Sequence, residues 1–284
     1  MTEAPSSLPF ASGPSAARRV RGGLFYAVAW FLAGLLVLFV LLPLVRLAFA
    51  SSPSELADAA AAPDIRSAIG VSLQDAGITA LVAALLGVPL AYVLSRNAFP
   101  GNGLVQSMVD LPLAVPHSVV GIGLLFVLSR RGWVGAPATH LGLAFYGTHW
   151  GIVAGMLFVS APFMVDSARQ AFDGIDPRLE QAARSLGAGP WRTFAWVTLP
   201  LAARGVLAGL VLTYARSISE FGAVAILAYF PMTAPVKVYD LFLQSGLQRS
   251  AAASVLLLGV TLSTFVVFRA LAYQRVGPAA RLRR

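Results

Sequence analysis

The side chains able to do chemistry are few and are poorly placed for catalysis. His117, His140 and His149 are the three histidines. No two of them have metal-ligand spacing, and none has a carboxylate three residues away. There is no cysteine, so thiolate nucleophiles, thiolate metal sites and disulfides are excluded. No G-x-S-x-G elbow occurs, nor any carboxylate pair set for acid and base roles. The only lysine, Lys237, follows Val236, which rules out a Walker A phosphate loop. No catalytic or metal-binding residue is therefore assigned. If the protein works with ATP, the nucleotide and its Mg sit on another chain.

The remaining candidates are charges inside apolar runs, each costing about 2.5–3.5 kcal/mol at a helix centre in a bilayer. Asp75 and Asp110 lie near the ends of such runs and read as structural. Arg216 and Glu220 are spaced i, i+4 in YARSISEFGAV and can neutralise each other on one helical face. They form either a structural ion pair or a polar girdle at a gate, where Ser217 and Ser219 offer hydroxyls to a passing anion. His117, in DLPLAVPHSVVG, either lines the same path or satisfies backbone groups freed by Pro116. The second reading is preferred.

The elements that must position these residues are membrane helices. The chain of 284 residues is 57% hydrophobic and only 12% charged, about half the charge of a soluble domain. Residues 1–23 read as a disordered basic tail and 274–284 as a second basic tail, flanking a transmembrane region over 24–273. Apolar runs at about 24–50, 68–95, 104–129, 149–168, 199–218 and 251–273 give six spans, with Pro112 and Pro116 expected to kink or break the first turns of the third. Residues 51–66, 130–148 and 231–248 read as outer loops. Gly147, Gly151 and Gly155, and again Gly205 and Gly209, are spaced for close helix packing. Arginines concentrate on segments assigned to the cytoplasm (Arg18, Arg19, Arg21, Arg96, Arg169, Arg178, Arg184, Arg192, Arg204, Arg269, Arg275, Arg281, Arg283 and Arg284). Fewer basic residues fall outside (Arg46, Arg66, Arg130, Arg131, Lys237, Arg249), so both termini are placed inside. The same bias accounts for the net charge of +9 without nucleic acid.

One polar interruption stands out, DPRLEQAARSLGAGPWRTFAWVTLP over 176–200. Asp176 is a helix cap, Pro177 fits the first helical position, and Gly187 fits the position where a left-handed residue ends a helix. Leu179, Ala182, Ala183 and Leu186 make one apolar stripe opposite Arg178, Gln181, Arg184 and Ser185. A helix over about 176–189 with that stripe either lies flat in lipid headgroups or docks into a partner's groove.

This stretch resembles the cytoplasmic coupling loop of ATP-binding-cassette importer permeases. The resemblance rests on Gln181-Ala182-Ala183, Gly187, Val197 and Leu199-Pro200, which keep the family spacing, with Gln181 where the family has glutamate and Glu180 beside it. Residues 110–126, 155–172 and 215–242, with Ser219-Glu220-Phe221-Gly222 as the more specific marker, resemble the molybdate/tungstate branch, with sulfate permeases near. The likeness spans roughly 24–273. It implies an all-α membrane protein of type I importer permease fold, with about six transmembrane helices, in the cytoplasmic (inner) membrane of a bacterium or archaeon. It also implies a homodimer around one pore, two ATPase subunits on the coupling helices (Glu180, Gln181, Ala182, Ala183, Leu186, Gly187), and an extracytoplasmic oxyanion-binding protein. Sulfate, thiosulfate or ferric iron import is the alternative within that class. A secondary transporter or channel is the alternative outside it, and an intramembrane enzyme lacks the necessary residues.

Overall fold

The computed structural model describes residues 16–274, with side chains described over 24–268 and at 270; the remainder of both expected tails lies outside the described residues. Every element among the described residues is helical. The first, α1 (Ala16–Ala48), forms a unit of its own and contains an apolar stretch of 25 residues, Leu24–Ala48, enough to span a bilayer.

The second unit begins with α2 (Pro53–Ala61), within a segment expected to be loop. Ser52 and Glu55 form a capping box: the Ser52 side chain accepts from the Glu55 amide, and Glu55 accepts from the Ser52 amide at 2.7 Å. α3 (Pro63–Arg96) follows, then α4 (Asn102–Ala114) and α5 (His117–Leu128). The expected third span is this pair, and the break expected there falls at Pro116, with axes differing by 114°, while Pro112 lies inside α4. The cause is local. Pro116 has no amide to continue α4 and forces Val115 into extended backbone (φ −83°, ψ 133°).

α6 (Gly135–His140) is a short turn of helix, and α7 (His149–Asp173) is a full span. Gly147 precedes α7 with φ +68°, so it does not share the helical face expected with Gly151 and Gly155. α8 (Pro177–Ser185) is the amphipathic helix, shorter than the expected 176–189. α9 (Pro190–Thr193) runs through a π-helical turn (Phe194–Thr198) into α10 (Leu199–Ile218). α11 (Gly222–Leu227) is short, and α12 (Ala234–Gln274) is interrupted at Gly246. The segment read as an outer loop, 231–248, is thus largely helical, and the apolar stretch there extends over Ala234–Phe268.

Among the described residues five helices are long and apolar enough to cross a membrane, or six if the bent α4–α5 pair counts as one span. α3, α7 and α10 form the centre of the second unit. Ala83, Val88, Ala91, Leu94, Met164, Val165, Ala168, Phe172 and Ala202 make one core. Ala76, Ala80, Ile152, Met156, Tyr214, Ile218 and Val224 make a second. Small residues permit this contact. A Cβ on Gly205 would lie 2.3 Å from the Ala171 Cβ, and one on Gly209 would lie 3.0 Å from the Ser167 Cβ. Large apolar side chains such as Leu81, Leu85 and Phe126 point outward, as a lipid solvent requires.

Candidate gate and coupling surface

The last turn of α10, the Ser219–Phe221 connection and the start of α5 bring three ionisable side chains together. Glu220 is 1% exposed. Its Oε2 accepts from Arg216 Nη2 at 2.8 Å and lies 3.1 Å from His117 Nδ1, while Oε1 accepts from the Ala223 amide at 3.0 Å and so caps α11. His117 Nε2 lies 3.0 Å from Arg216 Nη2. With Nδ1–H donating to Glu220, Nε2 is the acceptor for that guanidinium edge. α5 and α11 approach closely here, for a Cβ on Gly222 would fall 2.9 Å from the His117 Cβ.

In front of this triad lies an open concavity of about 520 Å³, bordered by Val115, Pro116, His117, Arg216, Ser219 and Phe221 among others. Glu220 borders it as well; Arg216 and His117 reach its surface with side-chain exposures of 22% and 38%, whereas Glu220 is buried. Two sequence expectations change. His117 joins the ion pair instead of serving only the backbone around Pro116. Ser217 is fully buried and donates to Ser160 Oγ at 2.9 Å, so it offers nothing to the concavity. Being one residue on from Arg216, it is turned about 100° round the helix, into the α7 contact. Ser219 does lie at the surface, donating to the Arg216 carbonyl at 3.0 Å.

The second candidate surface is α8. The Asp176 side chain accepts from the Arg178 amide at 2.9 Å, and Pro177 occupies the first turn. At the other end Gly187 has φ +88°, with Ala188 N–H donating to the Ala183 carbonyl and Gly187 N–H to that of Arg184, a complete Schellman motif. The buried residue of this helix is polar. Glu180 Oε1 pairs with Arg96 Nε at 2.8 Å, and Oε2 accepts from the Tyr92 hydroxyl at 3.0 Å. Arg96 also donates to the Ile175 carbonyl at 3.2 Å, so the end of α3 holds both α8 and the turn before it. Burial works against ionisation of Glu180, but the hydrogen bonds from Arg96 and Tyr92 and the Arg96 charge outweigh it and hold the carboxyl below its usual range.

Glu180 therefore faces inward and does not stand in for the missing glutamate at Gln181, which is exposed. Leu179, Ala182 and Leu186 are exposed as well, Leu186 to 90%, and Trp191 beyond them to 77%. Ala183 is half-buried and Gly187 exposed. Nothing in the sequence marked Arg96 or Tyr92 as partners of α8.

Asp75 and Asp110, expected to be structural, each belong to a polar cluster whose other members the sequence did not mark. Asp75 is buried with both carboxylate oxygens within 3.1 Å of His149 Nδ1. Gln106 joins α4 to α7, donating to Asp110 and Asp166 and accepting from Arg169 at 2.6 Å. Among the described residues no group of histidine, cysteine and carboxylate side chains could hold a metal ion.

A family model described as the binding-protein-dependent transport system inner membrane component matches residues 83–282. The chain belongs to that family. The molybdate/tungstate transport system permease protein WtpB of Thermococcus kodakarensis is 44% identical over 207 residues, 73% of this chain and 78% of its own. A probable molybdenum ABC transporter permease protein of Haloferax volcanii is 40% identical over 84% of this chain and 88% of its own. In fold, the permease matches the crystal structure of a bacterial ABC transporter that imports the polysaccharide alginate, with a TM-score of 0.72. That match covers 89% of this chain and 96% of the other at 20% identity. The permease is thus a multi-pass membrane protein with the all-helical fold of importer transmembrane subunits.

Proposed function

We propose that this permease forms the pore of an ATP-driven importer for molybdate or tungstate. The identity with the Thermococcus permease over 73% of the chain carries the substrate class. The pore forms between two copies. ATP and Mg reside on two separate ATPase subunits, and an extracytoplasmic binding protein delivers the anion. Both termini and α8 face the cytoplasm, in keeping with the arginine bias.

The geometry supports a coupling role for α8. A helix tied to α3 through Glu180 and Arg96 moves as one body with the spans, while Leu179, Ala182, Leu186 and Trp191 remain open for a partner's groove. Closure of the ATPase dimer pushes on that face, and α3, α7 and α10 carry the motion to the concavity at Arg216. The pore then opens outward, and hydrolysis returns it inward. With Arg216 and Glu220 neutralising each other, selection of the anion falls mainly to the binding protein.

Vesicles holding the permease, its ATPase and its binding protein test this. Tungstate and molybdate uptake should require both ATP and the binding protein. Uptake of sulfate or ferric iron in their place would move the substrate class. Uptake without ATP would make the protein a secondary transporter.

A further inference from the structure

We propose that Arg216 and Ser219 form an oxyanion contact within the translocation path. The outward Nη1 group of the Arg216 guanidinium and the Ser219 hydroxyl hydrogen-bond a tetrahedral dianion in the concavity beside α5. This inference rests on the importer function proposed above.

The guanidinium is divided between two environments. Nη2 is held by Glu220 at 2.8 Å and by His117 at 3.0 Å. Among the described residues Nη1 has only the long contact of 3.5 Å to Ser219 Oγ, and both residues border the concavity. Nη2 is therefore held by the protein, and Nη1 keeps its donors for a ligand. Both two-donor edges of a guanidinium include Nη2, so the contact left to an oxyanion is the planar Nη1 group, whose donors are fixed in direction as those of an ammonium are not.

Glu220 is the positioning residue. Both of its oxygens are occupied, by Arg216 and His117 on one side and the Ala223 amide on the other, and it is 1% exposed. Glu220 also borders the concavity, but its side chain is 1% exposed against 22% for that of Arg216, so an incoming anion meets mainly the positive member of the pair. Arg216 is oriented before the ligand arrives, which lowers the entropy lost on contact. The pair carries no net charge, so the anion is drawn by an oriented dipole and not by an unbalanced cation. Conduction needs that compromise, with attraction enough to enter and weakness enough to leave. Space is no obstacle: the concavity measures about 520 Å³. Ser219 is exposed beside it, and its hydroxyl can rotate from the Arg216 carbonyl to an anion.

The test is tungstate uptake per ATP hydrolysed, in vesicles holding the permease, its ATPase and tungstate-loaded binding protein. Loss of a charged hydrogen bond in Arg216→Gln should lower this ratio about 10-fold or more. Arg216→Lys should recover part of it, since an ammonium keeps the charge but not the fixed direction of the Nη1 donors. Ser219→Ala, which leaves the Arg216–Glu220 pair intact, should lower it about 3-fold. Wild-type ratios in Arg216→Gln and Ser219→Ala would overturn the contact and leave the importer standing. Should Arg216→Gln fail to assemble, a wild-type ratio in Ser219→Ala overturns the contact by itself. A wild-type complex that takes up no tetrahedral oxyanion overturns both.

Discussion

Glu180 Oε1 lies 2.8 Å from Arg96 Nε, across 84 residues of sequence, and Gln181 beside it faces outward. The contact fixes a short helix, which could not be stable alone, to the end of a long one. Removing one partner of such a buried pair leaves the other charge uncompensated. Glu180→Ala should therefore cost about 3 kcal/mol or more, read as a lower melting temperature in detergent and faster hydrogen exchange along α8. The pH dependence has a definite sign. The Glu180 carboxyl is held below its usual range in the folded protein, so its stabilising contribution is complete above that range. It is lost as pH falls through the lowered value. Protection of α8 amides should decline in acid for the wild type and show no such step in Glu180→Gln.

Leu186 is 90% exposed and contributes almost nothing to the fold of the single chain. Leu186→Asp should shift stability by about 0.5 kcal/mol at most. It should nonetheless abolish co-purification of the ATPase, because it places a charge in the docking groove. Retention of the ATPase would mean that α8 docks by another face.

Gly187 adopts φ +88°, where a side chain costs roughly 1–2 kcal/mol. Gly187→Ala should loosen the end of α8 and weaken the ATPase complex without altering the remaining helices, which circular dichroism and pull-down together would show.

The approach of α7 to α10 depends on missing side chains. Gly205→Ala puts a Cβ 2.3 Å from that of Ala171 and should destabilise by about 1–3 kcal/mol. Gly70→Ala, in α3 with nothing within 4 Å, should be neutral or stabilise by about 0.5–1 kcal/mol. Thermal unfolding of the two variants side by side checks the contrast.

Ser217 tests the revised gate. Its hydroxyl is buried against Ser160, so Ser217→Ala should cost about 1 kcal/mol of stability and leave uptake per ATP unchanged. A loss of uptake at unchanged stability would return Ser217 to the path.

Local signals and distant ones differed in legibility. The ends of α8 were readable because capping is local: Asp176, Pro177 and Gly187 each act within a few residues of the backbone groups they satisfy. Close packing at Gly205 was readable because spacing of four places small residues on one face. The capping box of Ser52 and Glu55 was just as local and was overlooked in a short acidic stretch. The Arg216–Glu220 pair was visible at i, i+4, yet the third member, His117, lies 99 residues away from Arg216 and enters only because Pro116 turns α5 back toward α10. Arg96 and Glu180, like Asp75 and His149, are likewise paired by tertiary packing, which no periodicity records. The Gly246 break and the helix before it were hidden in a segment whose polarity resembled a loop, because Lys237, Asp240 and Asp64 satisfy one another there.

The most direct measurement is ATP hydrolysis by the permease co-assembled with its ATPase in liposomes, with binding protein added empty or loaded with tungstate, molybdate or sulfate. The predicted result is stimulation by tungstate- and molybdate-loaded binding protein above that by the sulfate-treated protein, and its loss in Leu186→Asp. No associated ATPase, or hydrolysis indifferent to the loaded binding protein, would contradict the account.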